Sequence, residues 1–186
     1  MMEVKGVALL ARQSMMVEAI GEQAWRDFLA EFGKQYPVFA KPVMPMTLLP
    51  VDAFIRLNDT MLQRFFKGDV QTYWLFGEKS AEYALRQGQL KAMFGPGDYK
   101  RFLQFTPGIW KGYFTEGVLE AIAPKGAGYT DLRITGVSTP HVYFEYSVMA
   151  FAKRGLEVLG AKNLRYETLK GFSKGDREVH YRFHVS

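Results

Sequence analysis

The spacing of apolar residues divides this chain into a helical first part and a strand-rich second part. Val7 to Ile20 is rich in helix formers and is broken by Gly21. From Glu22 to Phe32, the residues Trp25, Phe28, Leu29 and Phe32 recur at spacings of 3, 1 and 3, which is one face of a helix that Gly33 should end. Four prolines at 37, 42, 45 and 50 exclude regular helix from the next stretch, yet Val38, Phe39, Val43 and Leu49 make it too apolar for a free linker. Val51–Phe66 carries a stripe of Val51, Phe54, Ile55, Met61, Leu62 and Phe65, and Val70–Gln87 repeats the pattern up to Gly88. The turn Gly95-Pro96-Gly97-Asp98 places Asp98 to cap a helix from Tyr99 that Pro107–Gly108 should kink or end.

The period then shortens to two. Val118–Ala123 and Tyr129–Val137 read as strands joined by a hairpin loop at Pro124–Gly128. Val142–Tyr146 reads as a third strand, followed by a helix capped by Ser147, striped by Val148, Ala152, Leu156 and Leu159, and stopped by Gly160. Leu164–Leu169 and Val179–Val185 form a final hairpin around Gly171–Asp176. In its last strand Val179, Tyr181, Phe183 and Val185 share the core face, leaving His180, Arg182 and His184 for solvent or a partner subunit. The pattern predicts one α+β domain over residues 1–186. An N-terminal helical half, 1–115, packs on a C-terminal antiparallel sheet half, 116–186, with one crossover helix.

Composition removes several chemistries. The chain has no cysteine, which excludes disulfides, thiolate metal sites and cysteine nucleophiles. No secretory signal pattern or membrane-length apolar run is visible, so a cytoplasmic protein without a membrane span is expected. The net charge of +5 comes from scattered basic residues, and no nucleic-acid partner is expected. His180 and His184, four residues apart on one strand, sit roughly 13 Å apart, too far to share a metal at about 2 Å. No P-loop, dinucleotide fingerprint or nucleophile elbow is present, so no catalytic residue is assigned and the chain is read as a non-enzyme. Glu145, the one acid in an otherwise apolar stretch, could be an inward functional group or an outward strand residue.

Certain segments carry a resemblance. Tyr73-Trp74-Leu75-Phe76-Gly77-Glu78-Lys79-Ser80 is followed by Tyr99-Lys100-Arg101-Phe102-Leu103, then by Gly155-Leu156-Glu157-Val158-Leu159-Gly160-Ala161, Gly175-Asp176 and Tyr181-Arg182-Phe183. Their order resembles the heme-nitric-oxide-binding, 4-vinyl reductase and TRAPP-like group of ligand-binding domains, nearest to uncharacterised myxobacterial paralogous proteins. The resemblance implies helices on a twisted antiparallel sheet with a buried cavity between the halves. Heme members supply a histidine from the helix that here would hold Phe102–Trp110, and this stretch has none. Their Tyr-x-Ser-x-Arg motif has its nearest counterpart at Tyr146-Ser147, without the arginine. No cofactor is therefore expected, heme included, although a tyrosine such as Tyr99 or Tyr113 is a chemically possible iron ligand.

The resemblance places Trp74, Phe102, Trp110, Tyr113, Tyr146 and Met149 around the implied cavity as ligand-binding candidates. The functional expectation is a non-enzymatic small-molecule-binding or sensory domain without a cofactor, holding an apolar small molecule between helices and sheet and acting as a homodimer or on a signalling partner protein. The alternative is a protein–protein assembly module with a filled core and an exposed apolar patch.

Overall fold

The computed structural model describes residues 1–185. Strand β1 (Glu3–Lys5) leads into helix α1 (Val7–Ile20), and Gly21, at φ +87°, turns the chain directly into α2 (Glu22–Gln35). The proline-rich connection forms a 3-10 turn, Pro37–Ala40, and a short strand β2 (Leu48–Pro50). Helices α3 (Val51–Phe65), α4 (Thr72–Arg86) and α5 (Tyr99–Tyr113) complete the helical half. Strands β3 (Val118–Ile122) and β4 (Tyr129–Thr135), helix α6 (Val142–Val158), and strands β5 (Arg165–Lys170) and β6 (Val179–His184) follow. The fold is α+β, as the residue pattern predicts.

Three boundaries differ from expectation for identifiable reasons. Helix α2 runs through Gly33, where a Cβ would stand 3.1 Å from the Ala40 backbone. Helix α5 continues through Pro107, and the Leu103 carbonyl that the proline cannot serve accepts instead from the Thr106 hydroxyl at 2.8 Å. The largest correction concerns Val142–Tyr146, which is not a strand but the start of α6. Its cap is His141, whose Nδ1 accepts from the Tyr143 backbone N–H at 3.0 Å, while Ser147 lies a turn inside the helix. A helix buried nearly all round shows a continuous apolar run, and over five residues that run cannot be told from a buried strand.

The main sheet has the order β3-β4-β6-β5, every pairing antiparallel. The terminal strand alternates as expected, with Val179, Tyr181 and Phe183 buried against the helices. The opposite face is not simply open. Asp131 accepts two hydrogen bonds from Arg182, at 2.8 and 3.0 Å, and lies 3.1 Å from His180. Glu178 bridges Arg133 and Lys170, and His184 meets Glu167 at 2.7 Å. A second, two-stranded sheet pairs Val4 with Leu49, and Val4 also bridges to Phe114 at the end of α5.

Helix α6 is held against the helical half by two close approaches, one to α4 and one to α5. On α4, a Cβ at Gly77 would lie 2.1 Å from the Ser147 carbonyl oxygen of α6. On α6 itself, a Cβ at Gly155 would lie 2.3 Å from the Phe102 ring of α5. Glycine in a helix interior costs about 1 kcal/mol relative to alanine, so both positions exchange local propensity for packing distance.

Substituting Gly155→Leu should lower stability by at least about 1–3 kcal/mol, the usual range for overpacking a dense core. Calorimetry reads this as a reduced melting temperature, and an unchanged one would show that Phe102 can retreat. The Arg182 guanidinium holds the Asp131 carboxyl below its ordinary value of 3.8, with burial acting against it. A depressed folded value means that this contribution is full above pH 3.8 and fades as pH falls through the folded value. Asp131→Asn should flatten that part of the stability profile, as read by chemical denaturation at a series of acid pH values.

Candidate ligand cavity

A cavity of about 50 Å³ lies where α1, α4, α5, α6 and β3 meet. Its walls are mainly Ala8 of α1, Ile109, Trp110 and Tyr113 of α5, and Tyr143, Phe151 and Ala152 of α6. These side chains are buried, and most of the lining is hydrocarbon or aromatic ring. The volume is well below the roughly 300 Å³ at which ordinary small-molecule sites begin. It exceeds the ~30 Å³ that one water occupies in the liquid, so it suits a molecule of a few heavy atoms.

The polar groups on the wall are mostly committed. Ser147 donates to the Tyr143 carbonyl and Thr106 to that of Leu103. The Tyr113 hydroxyl accepts from the Gln89 amide at 3.0 Å, and burial pushes this phenol up to about 12. Tyr143 accepts at 3.4 Å from Arg12, whose side chain is 1% exposed. Arg12 also donates to Asn58 at 3.2 Å and to the Phe76 carbonyl at 3.3 Å, and its guanidinium lies 3.9 Å from the centre of the Phe76 ring. Burial pulls its pKa down, but an arginine stays charged at any working pH. Asp59, next in sequence to Asn58, accepts from the Tyr73 hydroxyl and lies 3.5 Å from His141 Nε2.

The six candidates from the resemblance separate into three places. Trp110 and Tyr113 lie on the cavity. Phe102 and Met149 are fully buried packing residues, Phe102 against Gly155, Phe94 and Phe151. Trp74 stacks on Tyr166 at 5.4 Å and meets Tyr146 edge-on at 6.2 Å, where α4 and α6 approach strand β5. Glu145 is an inward acid on α6, not an outward strand residue. It is fully buried and accepts from the Ser173 N–H at 2.7 Å, the Ser173 hydroxyl at 2.9 Å and the Tyr181 hydroxyl at 2.9 Å.

Arg12 and Tyr143 escaped sequence reasoning. Ala8, Arg12, Met15 and Met16 follow the i, i+4, i+7, i+8 rhythm of a buried stripe, so a cation at a core-facing position was the available signal. Tyr143 was hidden by reading its segment as a strand. Among the described residues, no group of three or more His, Asp or Glu side chains is placed to hold a metal ion, and no helix is long and apolar enough to cross a membrane.

No protein-family model matches this chain, and no curated protein matches it by sequence. By shape it matches solved H-NOX structures. An H-NOX protein from S. oneidensis in the Fe(II)NO ligation state superposes with a TM-score of 0.75 at 12% identity, covering 98% of this chain and 99% of that one. An NMR structure of an H-NOX domain from Shewanella oneidensis in the Fe(II)CO state gives 0.69 at 12% identity, with 98% of each chain covered. A structure from work on heme distortion in the H-NOX family gives 0.71 at 12% identity, covering 98% of this chain and 95% of that one. At this identity the likeness establishes the fold, which is the heme-NO-binding fold.

These neighbours overturn the expectation of no cofactor, heme included. The fold is one that carries iron in Fe(II), Fe(II)NO and Fe(II)CO ligation states in them, so it points toward heme. The side chains around the cavity, in this arrangement, do not fit that group. The cavity holds about 50 Å³, and its lining includes no histidine. The raised Tyr113 phenol is a poor source of a phenolate ligand.

Replacing Glu145 by Ala leaves the Tyr181 hydroxyl and the Ser173 N–H without their buried acceptor. The expected loss is about 1–3 kcal/mol, read by chemical denaturation. An unchanged midpoint would mean that water replaces the carboxylate.

Proposed function

We propose that this chain is a non-enzymatic sensory domain that encloses a small ligand in the cavity between the helical half and the sheet, and reports it to a partner. The observation that carries this reading is the cavity itself: an apolar volume at the junction of five elements, in a fold shared over nearly full length with H-NOX structures that hold small ligands. Occupancy there touches both halves, so it can bias how α1 and α5 sit against α6.

One observation favours a second reading, an assembly module of the TRAPP-like kind. The core is nearly filled, and Tyr166 and Leu169 are exposed on the edge strand β5. Of the side chains that would favour this reading if exposed, Phe39, Phe65, Phe66 and Tyr73, Phe39 and Tyr73 are buried and Phe65 and Phe66 are partly so.

Xenon, a small apolar probe, separates the two. Titrated by ¹²⁹Xe NMR, the protein should show one saturable site. Ala8→Leu, which fills the cavity from α1, should abolish it with the fold retained. Absence of any saturable site in the unsubstituted protein would favour the assembly module.

A further inference from the structure

Arg12 is a buried cation whose recorded partners are all neutral: an amide oxygen, a backbone carbonyl, a phenol, a thioether and an aromatic face. A charge taken out of water without a counter-charge is strongly disfavoured, and the neutral contacts offset only part of that. A guanidinium has five N–H donors. Its four hydrogen bonds include two long ones, 3.4 Å to the Tyr143 hydroxyl and 3.8 Å to the Met15 sulfur. Every guanidinium nitrogen thus has a partner, but among the described residues none of those partners carries a negative charge.

The cavity adjoins this cation. Ala8 on its wall lies one helical turn before Arg12 on the same face of α1. Tyr143 belongs to both places, lining the cavity and accepting from Arg12. Because its oxygen accepts from the guanidinium, its own hydrogen is left to be donated. Ser147, Thr106 and Tyr113 on the same wall are already engaged with protein groups. An oxygen anion that reached the Tyr143 hydroxyl would thus meet a phenol donor polarised by the guanidinium from which it accepts.

We propose that the cavity takes a short-chain carboxylate, with its hydrocarbon part against Ala8, Ile109 and Phe151 and its carboxylate on the Tyr143 hydroxyl, neutralising Arg12. This rests on the cavity being the ligand site, and it adds the ligand's charge and size. The cavity of about 50 Å³ restricts the tail to one or two carbons.

The test compares acetate and propionate with their uncharged isosteres acetamide and propionamide at matched ionic strength. Melting temperature and the ¹³C shift of carboxyl-labelled acetate are the readouts. The carboxylates should raise the melting temperature and the amides should do so far less. Tyr143→Phe, which removes one donor at constant shape, should weaken acetate binding about tenfold. Arg12→Met should abolish the preference for charge. If Arg12→Met does not fold, the Tyr143→Phe comparison still decides. Equal responses to acid and amide, or full acetate affinity in Tyr143→Phe, would overturn the proposal. Saturable xenon binding alongside either result would leave the cavity reading intact, whereas loss of xenon binding as well would remove both.

Discussion

The seating of α6 against α4 and α5 is the contact on which the rest of this molecule depends. Two glycines set it: Gly77 lets the α4 backbone reach the Ser147 carbonyl, and Gly155 admits the Phe102 ring. Both approaches are below the distance at which any side chain could intervene. The helix therefore has little room to slide or roll, and the residues projecting from it are placed with matching precision. Tyr143 meets Arg12 on one side, Glu145 meets β6 on another, and Phe151 and Ala152 close the cavity on a third.

Two buried ionisable groups, Glu145 on this helix and Arg12 on α1, differ in their surroundings. Glu145 has three donors around its carboxylate, as many as a well-satisfied buried acid needs. A Cβ at Gly171 would lie 2.4 Å from its oxygen, so the turn before Ser173 is shaped around it. Arg12 has neutral acceptors at longer range. The acid reads as a fastening between α6 and the last hairpin, and the cation as a group whose contacts among the described residues are all uncharged.

Much of the architecture was legible in the residue spacing. The stripes on α1 and α3 and the alternation of Val179, Tyr181 and Phe183 follow from periods that water enforces. What failed did so where burial on several sides erases that period. Val142–Tyr146 is apolar at every position but Glu145 and takes its conformation from α4 and the sheet, not from its own pattern. The same loss of signal hid Tyr143 and left Trp74, Tyr146, Phe102 and Met149 indistinguishable from cavity residues, since an aromatic in a wall and one in a core look alike in sequence. The absence of a histidine near Phe102 described the side chains correctly but did not bear on the fold, which shape comparison ties to heme-carrying structures.

The short strand β1 joins regions that are remote along the chain. Val4 pairs with Leu49 and bridges to Phe114, and the Glu3 N–H donates to the Thr115 hydroxyl at 2.9 Å. Helices form within about a microsecond from neighbouring residues, whereas contacts across more than a hundred positions must wait for a large loop to close. The helical half can thus acquire its secondary structure early and still lack its final tie. Because β1 leads directly into α1, which carries Ala8 and Arg12, the α1 wall of the cavity is anchored by contacts that span more than a hundred positions of the chain.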